Sequence, residues 1–501
     1  MTSTECAGRE KLDTTDRKFM AIHAMAGTES ITALAAQHGV SRPLVYRQMH
    51  KARAALDELF SPVPTDDEKK VLFSLPVTRR WLRQATLGLT LIASASRRGV
   101  VEFMRDLLGV SISEGTVHNI HQQAAQQAAQ QARAVSAGMD LSAVRVGLHD
   151  EIFQGSQPVL AGIDAASTYC YLLAAEAQRD GDTWAIHLLD LKTQGLNPDY
   201  VIADAGTGLR AGQKIAWSDT PCHGDTFHIE QQFETVVNIW TRKAGGITSA
   251  CEQLEARLAN PRRRCDDRVL RAELAGLRPL EAQAHQRATD LRTLAGWLAR
   301  DVLSLAGPDL ASRQVLFDFI VDELRQREHA DVPHIGTLRR ALHNQRDDLL
   351  AFAGVLDLKL AAIARDAAVP EHLVRVTCLL HRKPPTSGAF WRDRSELYHA
   401  MGHKFYSVCN AVSQAMRSTP RSSSLVENFN SRLRTRLTLR RHLDGGNAWL
   451  DLLRFFFNHR RFARSRRPER EGKTPREVMT AQAHPHWLTL LGLGPLQPQR
   501  S

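Results

Sequence analysis

The sequence predicts a multidomain α/β protein: all-α modules first, then a mixed β-sheet core interrupted by a large all-α insertion. Three observations predict it. The hydrophobic period is helical up to about residue 138, changes to two from Leu141, and becomes helical again from Ile229. Only the stretch between those points holds β-rich apolar runs bounded by turn residues. A chain of 501 residues is also too long for one ordinary core.

Residues 1–60 come first. Three short helices are expected, over Arg17 to Ala26, over Ile31 to His38, and from Ser41 onward. Gly39 suits a left-handed helix end and Ser41 an N-cap. Ile31, Leu34, Ala35, Val40, Leu44, Val45 and Met49 would form the shared core. This is helix-turn-helix spacing, whose later helix enters a DNA major groove. Arg42, Tyr46, Arg47 and Gln48 at its exposed start would face DNA. Residues 61–138 begin with a turn-rich linker and continue as a second, looser helix-turn-helix. Its last helix runs into the Gln-Ala pairs of 122–131, which read as an exposed linker helix.

The core follows at 139–228. Strands are expected over Val144 to Ile152, Pro158 to Ile163 and Tyr169 to Ala174, then a helix over Thr183 to Leu191. A fourth strand, Tyr200 to Ala203, delivers Asp204 and then Gly206 and Gly208, which allow close approach of a ligand. Open α/β sheets place their sites at such carboxyl ends. Cys222, His223, Asp225 and His228 cluster further on, but without a second cysteine pair the spacing does not predict zinc. A short strand leading into a helix is expected there instead.

Residues 229–420 read as helical throughout, with Trp240, Trp297, Phe317, Phe319, Phe352 and Trp391 as core. At 421–480, Arg421-Ser-Ser-Ser424 can cap a helix that begins near Leu425. On it Glu427, Asn430, Ser431 and Arg434 share one face. Leu443 to Gly446 ends that segment, an apolar helix follows over Trp449 to Phe457, and 481–501 is a tail.

Charge and composition narrow the partners. From Arg421 to Arg476 there are 15 Lys and Arg against 5 Asp and Glu, nearly all of the net +11. Such a patch suits a polyanion, because each neutralised phosphate releases a counterion. Arg432, Arg436, Arg460, Arg461 and Arg464 are its candidate contacts. No apolar run nears the roughly 20 residues of a membrane span, and the polar start is no signal peptide. Seven scattered cysteines predict reduced thiols in a cytoplasm.

Three acids stand out: Asp150, Asp204 and Glu427, separated by 54 and 223 residues. Carboxylates are hard ligands suited to Mg²⁺, and paired ions can serve phosphodiester cleavage. Converging acids would repel one another unless a cation lay between them.

With His149-Asp-Glu-Ile152, Ile202-Ala-Asp-Ala-Gly206, Asp225-Thr-Phe-His228 and Ser424-Leu-Val-Glu-Asn-Phe-Asn-Ser-Arg-Leu-Arg434, the chain resembles the DDE transposases of bacterial insertion sequences. Phe455 to Phe462 and Lys473-Thr-Pro475 are similar to the ends of such enzymes. The resemblance implies an RNase H-like core, with 229–420 inserted before the helix bearing the final acid. It implies Asp150, Asp204 and Glu427 as catalytic metal ligands for two Mg²⁺ ions, replaceable by Mn²⁺. Asp150 and Glu151 must point to opposite sides of their strand, so only one can serve. Asp164, in a hairpin turn, is a third candidate for the first acid. His228 and Arg434 would orient a phosphate or the last acid. The implied partner is double-stranded DNA, both terminal inverted repeats and target, bound by a homo-oligomer in a bacterial cytoplasm. A DNA-binding regulator or inactive relic is the alternative, and a nuclease without transfer activity a third reading.

Overall fold

The computed structural model describes residues 13–60, 73–136, 140–204, 206–260, 267–438, 447–465, 467–496 and 499–500. They fall into two compact units, 1–76 with 497–501, and 77–496.

The first unit holds α1 (Thr14–Ala26), α2 (Ile31–Gln37) and α3 (Arg42–Leu59). Gly39 takes the left-handed φ of 62° that turns α2 into α3. Met20, Leu34, Ala35 and Val45 form the small core, with Ile31 and Val40 packed against it. Ser41 occupies the N-cap position without a side-chain cap bond, and Pro43 in the first turn presets the helix. Phe73–Ser74 (β1) pairs antiparallel with Gln499–Arg500 (β7).

The second unit opens with α4 (Arg79–Leu91), α5 (Arg97–Leu108) and α6 (Glu114–Ser136). The expected exposed linker helix is corrected here. Ala124, Ala125 and Ala128 on α6 are buried in the main core with Trp449 and Leu453. Small side chains every three or four residues let a second helix approach closely, and the glutamines take the other face.

The sheet consists of β2 (Val146–Gln154), β3 (Gln157–Asp164), β4 (Cys170–Ala175), β5 (Tyr200–Ala203) and β6 (Cys222–Gly224). Its order is β4-β3-β2-β5-β6. β2, β3 and β4 form an antiparallel meander, whereas β5 and β6 run parallel to β2. The strands are nearly all buried because helices cover both faces. On one side α7 (Gly181–Thr193) and α8 (Thr207–Ala216) pack with Trp184, Leu188 and Leu209. On the other, α17 (Ser424–Leu437) and α18 (Ala448–His459) contribute Val426, Phe429, Leu433 and Phe456.

Between β6 and α17 the described chain is helical: α9 (Thr226–Leu258), α10 (Asp267–Trp297), α11 (Leu310–Arg327), α12 (Thr337–Asn344), α13 (Arg346–Asp366), α14 (Glu371–Leu380), α15 (Gly388–Met401) and α16 (Phe405–Arg417). It builds two cores of its own, around Trp240, Phe317 and Phe352 and around Leu356, Val374 and Phe405. Trp297, Phe319 and Trp391 are 37%, 45% and 54% exposed, so the expectation that they are core is wrong. The expected terminator Leu443 to Gly446 lies outside the described residues. Among the described residues no helix is long and apolar enough to cross a membrane.

Candidate active site

Register brings the first two acids together. β2 and β5 are parallel neighbours in which Leu148 pairs with Ile202. Asp150 and Asp204 each stand two residues beyond that pair. They therefore share one face of adjacent strands whose spacing is about 4.8 Å, Asp150 midway along β2 and Asp204 just past the carboxyl end of β5.

The choice between Asp150 and Glu151 follows from the pleat. Glu151 points to the opposite face, where its carboxylate accepts from Trp184 Nε1 at 3.0 Å and from Arg179 at 2.8 Å. Asp150 points toward α17, where Asn430 Nδ2 donates to its Oδ2 at 2.6 Å. Asp164 is committed to its turn, accepting from the Ser167 N–H at 2.7 Å and the Ser167 hydroxyl at 2.5 Å. His149, next to Asp150, is buried between Tyr171 and Gln213, and burial holds it neutral with a pKa of about 3.

Electrostatics places Glu427 with the pair. Asp150 is pushed up to about 7, first by burial, then by the negative charge of Glu427, with a smaller push from Asp204. The carboxylates thus lie in one another's field although they come from three elements. Among the described residues no three of His, Cys, Asp and Glu are already grouped closely enough to hold a metal ion. The donor chemistry still suits a hard cation. It offers carboxylate oxygens in mutual repulsion, and beside them Asn430 Oδ1, fully buried without a hydrogen-bond partner.

Asp204 is positioned by its own turn. Its Oδ1 accepts the Gly206 N–H at 2.9 Å, and a Cβ on Gly206 would sit 2.8 Å from that oxygen. A Cβ on Gly208 would collide with the backbone carbonyl of Arg179. Both glycines therefore serve close packing within the chain, and the expectation that they clear space for a ligand is revised. Arg210 donates to the Asp204 carbonyl at 3.1 Å and pairs with Asp348 of α13.

Asp225 is a positioning residue that the sequence does not reveal. It caps α9 through the Phe227 N–H at 2.9 Å. It also accepts the Ser423 N–H at 3.0 Å and the Ser423 hydroxyl. The serine run was expected to cap the helix bearing Glu427. Instead Ser423 makes no side-chain cap bond to α17 and spends its hydroxyl on Asp225. Arg421 adds a second tie, donating to Thr226 and Glu230 at 3.0 and 2.9 Å.

The basic candidates divide. Arg434 lies 3.9 Å from Glu427, a loose and half-exposed pair. His228 is exposed on the first turn of α9. Arg436 is 5% exposed and bonds the Leu91 carbonyl twice, at 3.1 and 2.7 Å, and the Arg432 carbonyl at 2.8 Å. Its reading as a DNA contact is therefore corrected: it clamps α17 to the end of α4. We predict that Arg436→Met lowers stability by about 2–4 kcal/mol, since it leaves a buried carbonyl unpaired. A thermal melt checks this, and an unchanged Tm would refute it. Arg461 is exposed but tied to the Gly472 carbonyl at 2.8 Å, Arg464 is exposed, and Arg460 is half-buried. In the first unit Arg42, Tyr46 and Arg47 are exposed and Gln48 half-buried on α3.

No family profile matches this chain, and no curated protein matches its sequence.

The raised pKa of Asp150 has a stability consequence. Its folded pKa of about 7 lies above the ordinary 3.8, so the folded state binds the extra proton between those values. Without metal, this group's contribution is fully present below about pH 4 and is lost as pH rises through 7. We predict that Asp150→Asn raises Tm in EDTA at pH 8 and has little effect at pH 4. Equal shifts at both pH values would refute the coupling.

Proposed function

We propose that this chain is a divalent-metal-dependent DNA strand-cleaving and strand-transferring enzyme of the DDE transposase type, with an RNase H-like core. The observation that carries this reading is the meeting of Asp150, Asp204 and Glu427 beside the interior strands β2 and β5, with Asp150 lifted first by burial and then by the charge of the other two. Structural ion pairs place opposite charges together. A group of acids whose ion pairing among the described residues is limited to the loose 3.9 Å contact of Glu427 with Arg434 is instead what a cation-dependent phosphoryl-transfer site needs.

The three acids would hold Mg²⁺, or Mn²⁺ in its place. When bound there, the ions activate the attacking water or 3′-hydroxyl and stabilise the leaving oxygen. Asn430 fixes the rotamer of Asp150 through its 2.6 Å bond, and the Gly206 N–H fixes that of Asp204. Glu427 is delivered by a helix whose start is tied to Asp225. Arg434 offers a positive charge beside Glu427, where a phosphate oxygen would lie. The exposed Arg42, Tyr46 and Arg47 of α3 suit recognition of element ends.

The test is a nicking and strand-joining assay on DNA carrying the ends that flank the gene, with and without Mg²⁺. Metal-dependent nicks followed by joined products are expected. Nicks without joined products would reduce the reading to a nuclease. Binding without nicks at any metal concentration would replace it with a DNA-binding protein that does not cut.

A further inference from the structure

Behind α17, on the side away from the acids, three guanidinium groups crowd two phenylalanine rings. Arg432 lies 4.8 Å from the centroid of Phe457, and Arg436 lies 5.1 Å from the same ring. Arg460 lies 5.6 Å from Phe456, over which Arg436 also sits. The charges feel one another. Arg432 is pushed down to about 10, mainly by burial and then by the positive charges of Arg460 and Arg436. Among the described residues no carboxylate contributes to that balance, in contrast to Arg327, Arg346 and Arg375, each of which has an acid partner. Of the three, Arg436 has spent its donors on the Leu91 and Arg432 carbonyls. Arg432 and Arg460 remain, each laid on an aromatic face that fixes its plane.

We propose that Arg432 and Arg460 form a two-arginine clamp for a phosphodiester of the DNA strand flanking the cleavage point. This rests on the DNA-cleaving reading above. Paired planar guanidiniums match the oxygens of a phosphate, and a bound phosphate would offset the repulsion between them. The position sets the distance. Arg432 follows Glu427 by five residues, about 140° around the helix, so the clamp and the acids are roughly one helix diameter apart, about 10–12 Å.

The experiment uses full-length Asp204→Asn protein, so that binding is read without cleavage. Affinity for a 30-base-pair duplex is measured against KCl concentration, alone and with Arg432→Gln plus Arg460→Gln. Each lost phosphate contact lowers the slope of log affinity against log salt by about 0.9, and the clamp holds one phosphate, so a drop of about 0.9 is expected with Tm unchanged. An unchanged slope in a folded double variant overturns the proposal. Stabilisation by inorganic phosphate that the double variant loses, with an unchanged DNA slope, would assign the pair to a small anion and equally overturn it. A reduced slope here, together with unsubstituted protein that never nicks DNA at any Mg²⁺ concentration, would keep the clamp and refute the cleavage reading instead.

Discussion

Asp204→Asn and Glu427→Gln are each expected to reduce metal-dependent nicking on the order of 10³-fold or more, about 4 kcal/mol of barrier. Both changes keep the shape of the side chain and remove only its charge. Asn at 204 retains an oxygen for the Gly206 N–H, so the turn after β5 should persist. Glu427 is half-exposed and its nearest cation, Arg434, is 3.9 Å away, so its loss costs the fold little. Affinity for DNA ends should stay within about twofold, because the exposed residues of α3 belong to a separate compact unit. A gel assay for nicked product alongside a binding titration separates these effects. Retained nicking by either purified variant would remove that acid from the site. Glu151→Gln is the matched control, and its main consequence should be loss of the Arg179 ion pair on the far face, since the amide oxygen can still accept from Trp184.

The second large effect is structural. Asp225→Ala removes the acceptor of three donors, the Phe227 N–H, the Ser423 N–H and the Ser423 hydroxyl. Asp225 is 4% exposed and Ser423 is 3% exposed, so water cannot readily replace it. A lost N-cap costs about 0.5–2 kcal/mol and each stranded buried donor about 1–3, which together give roughly 3–5 kcal/mol. The damage should be focused at the start of α17. Hydrogen exchange at Ser423 to Glu427 should rise more than at the sheet, and activity should fall although none of Asp150, Asp204 and Glu427 has been touched. Protection unchanged in that segment would mean that Asp225 does not position the helix. Ser423→Ala, which removes only one of the three donors, should show a weaker version of the same pattern.

The sheet and its acids were legible because their signals are local. The apolar runs of β2 and β3 and the short one before Asp204 report burial directly, and the turn at Asp164 announces itself in Asp-Ala-Ala-Ser. Asp150 and Glu151 could be placed on opposite faces from the pleat alone. Which face held the site depended on Trp184 and Asn430, from distant parts of the chain. Arg436 was unreadable for the same reason. In a basic run it looks like a surface contact, and only the Leu91 carbonyl, 345 residues away, makes it a buried clamp. The alanines of α6 and the exposed Trp297, Phe319 and Trp391 mislead in opposite directions. Residue type tells how much area a side chain offers for burial, but the neighbouring helix decides whether it is covered.

Asp225 and Ser423 are 198 residues apart in sequence and joined directly in space. The inserted helices therefore leave the core and come back at one stapled junction, reinforced by the Thr226 N–H bonded to the Arg421 carbonyl at 3.3 Å, while α13 docks on the sheet through Asp348 and Leu349. Because the entropy of closing a loop grows only logarithmically, a tether of 198 residues costs roughly 2 kcal/mol more than one of 20. The helices of the cassette other than α13 are free to grow, shrink or be exchanged over generations while the acid-bearing face keeps its dimensions. The staple, and not the length of what hangs from it, is where selection on the site would act.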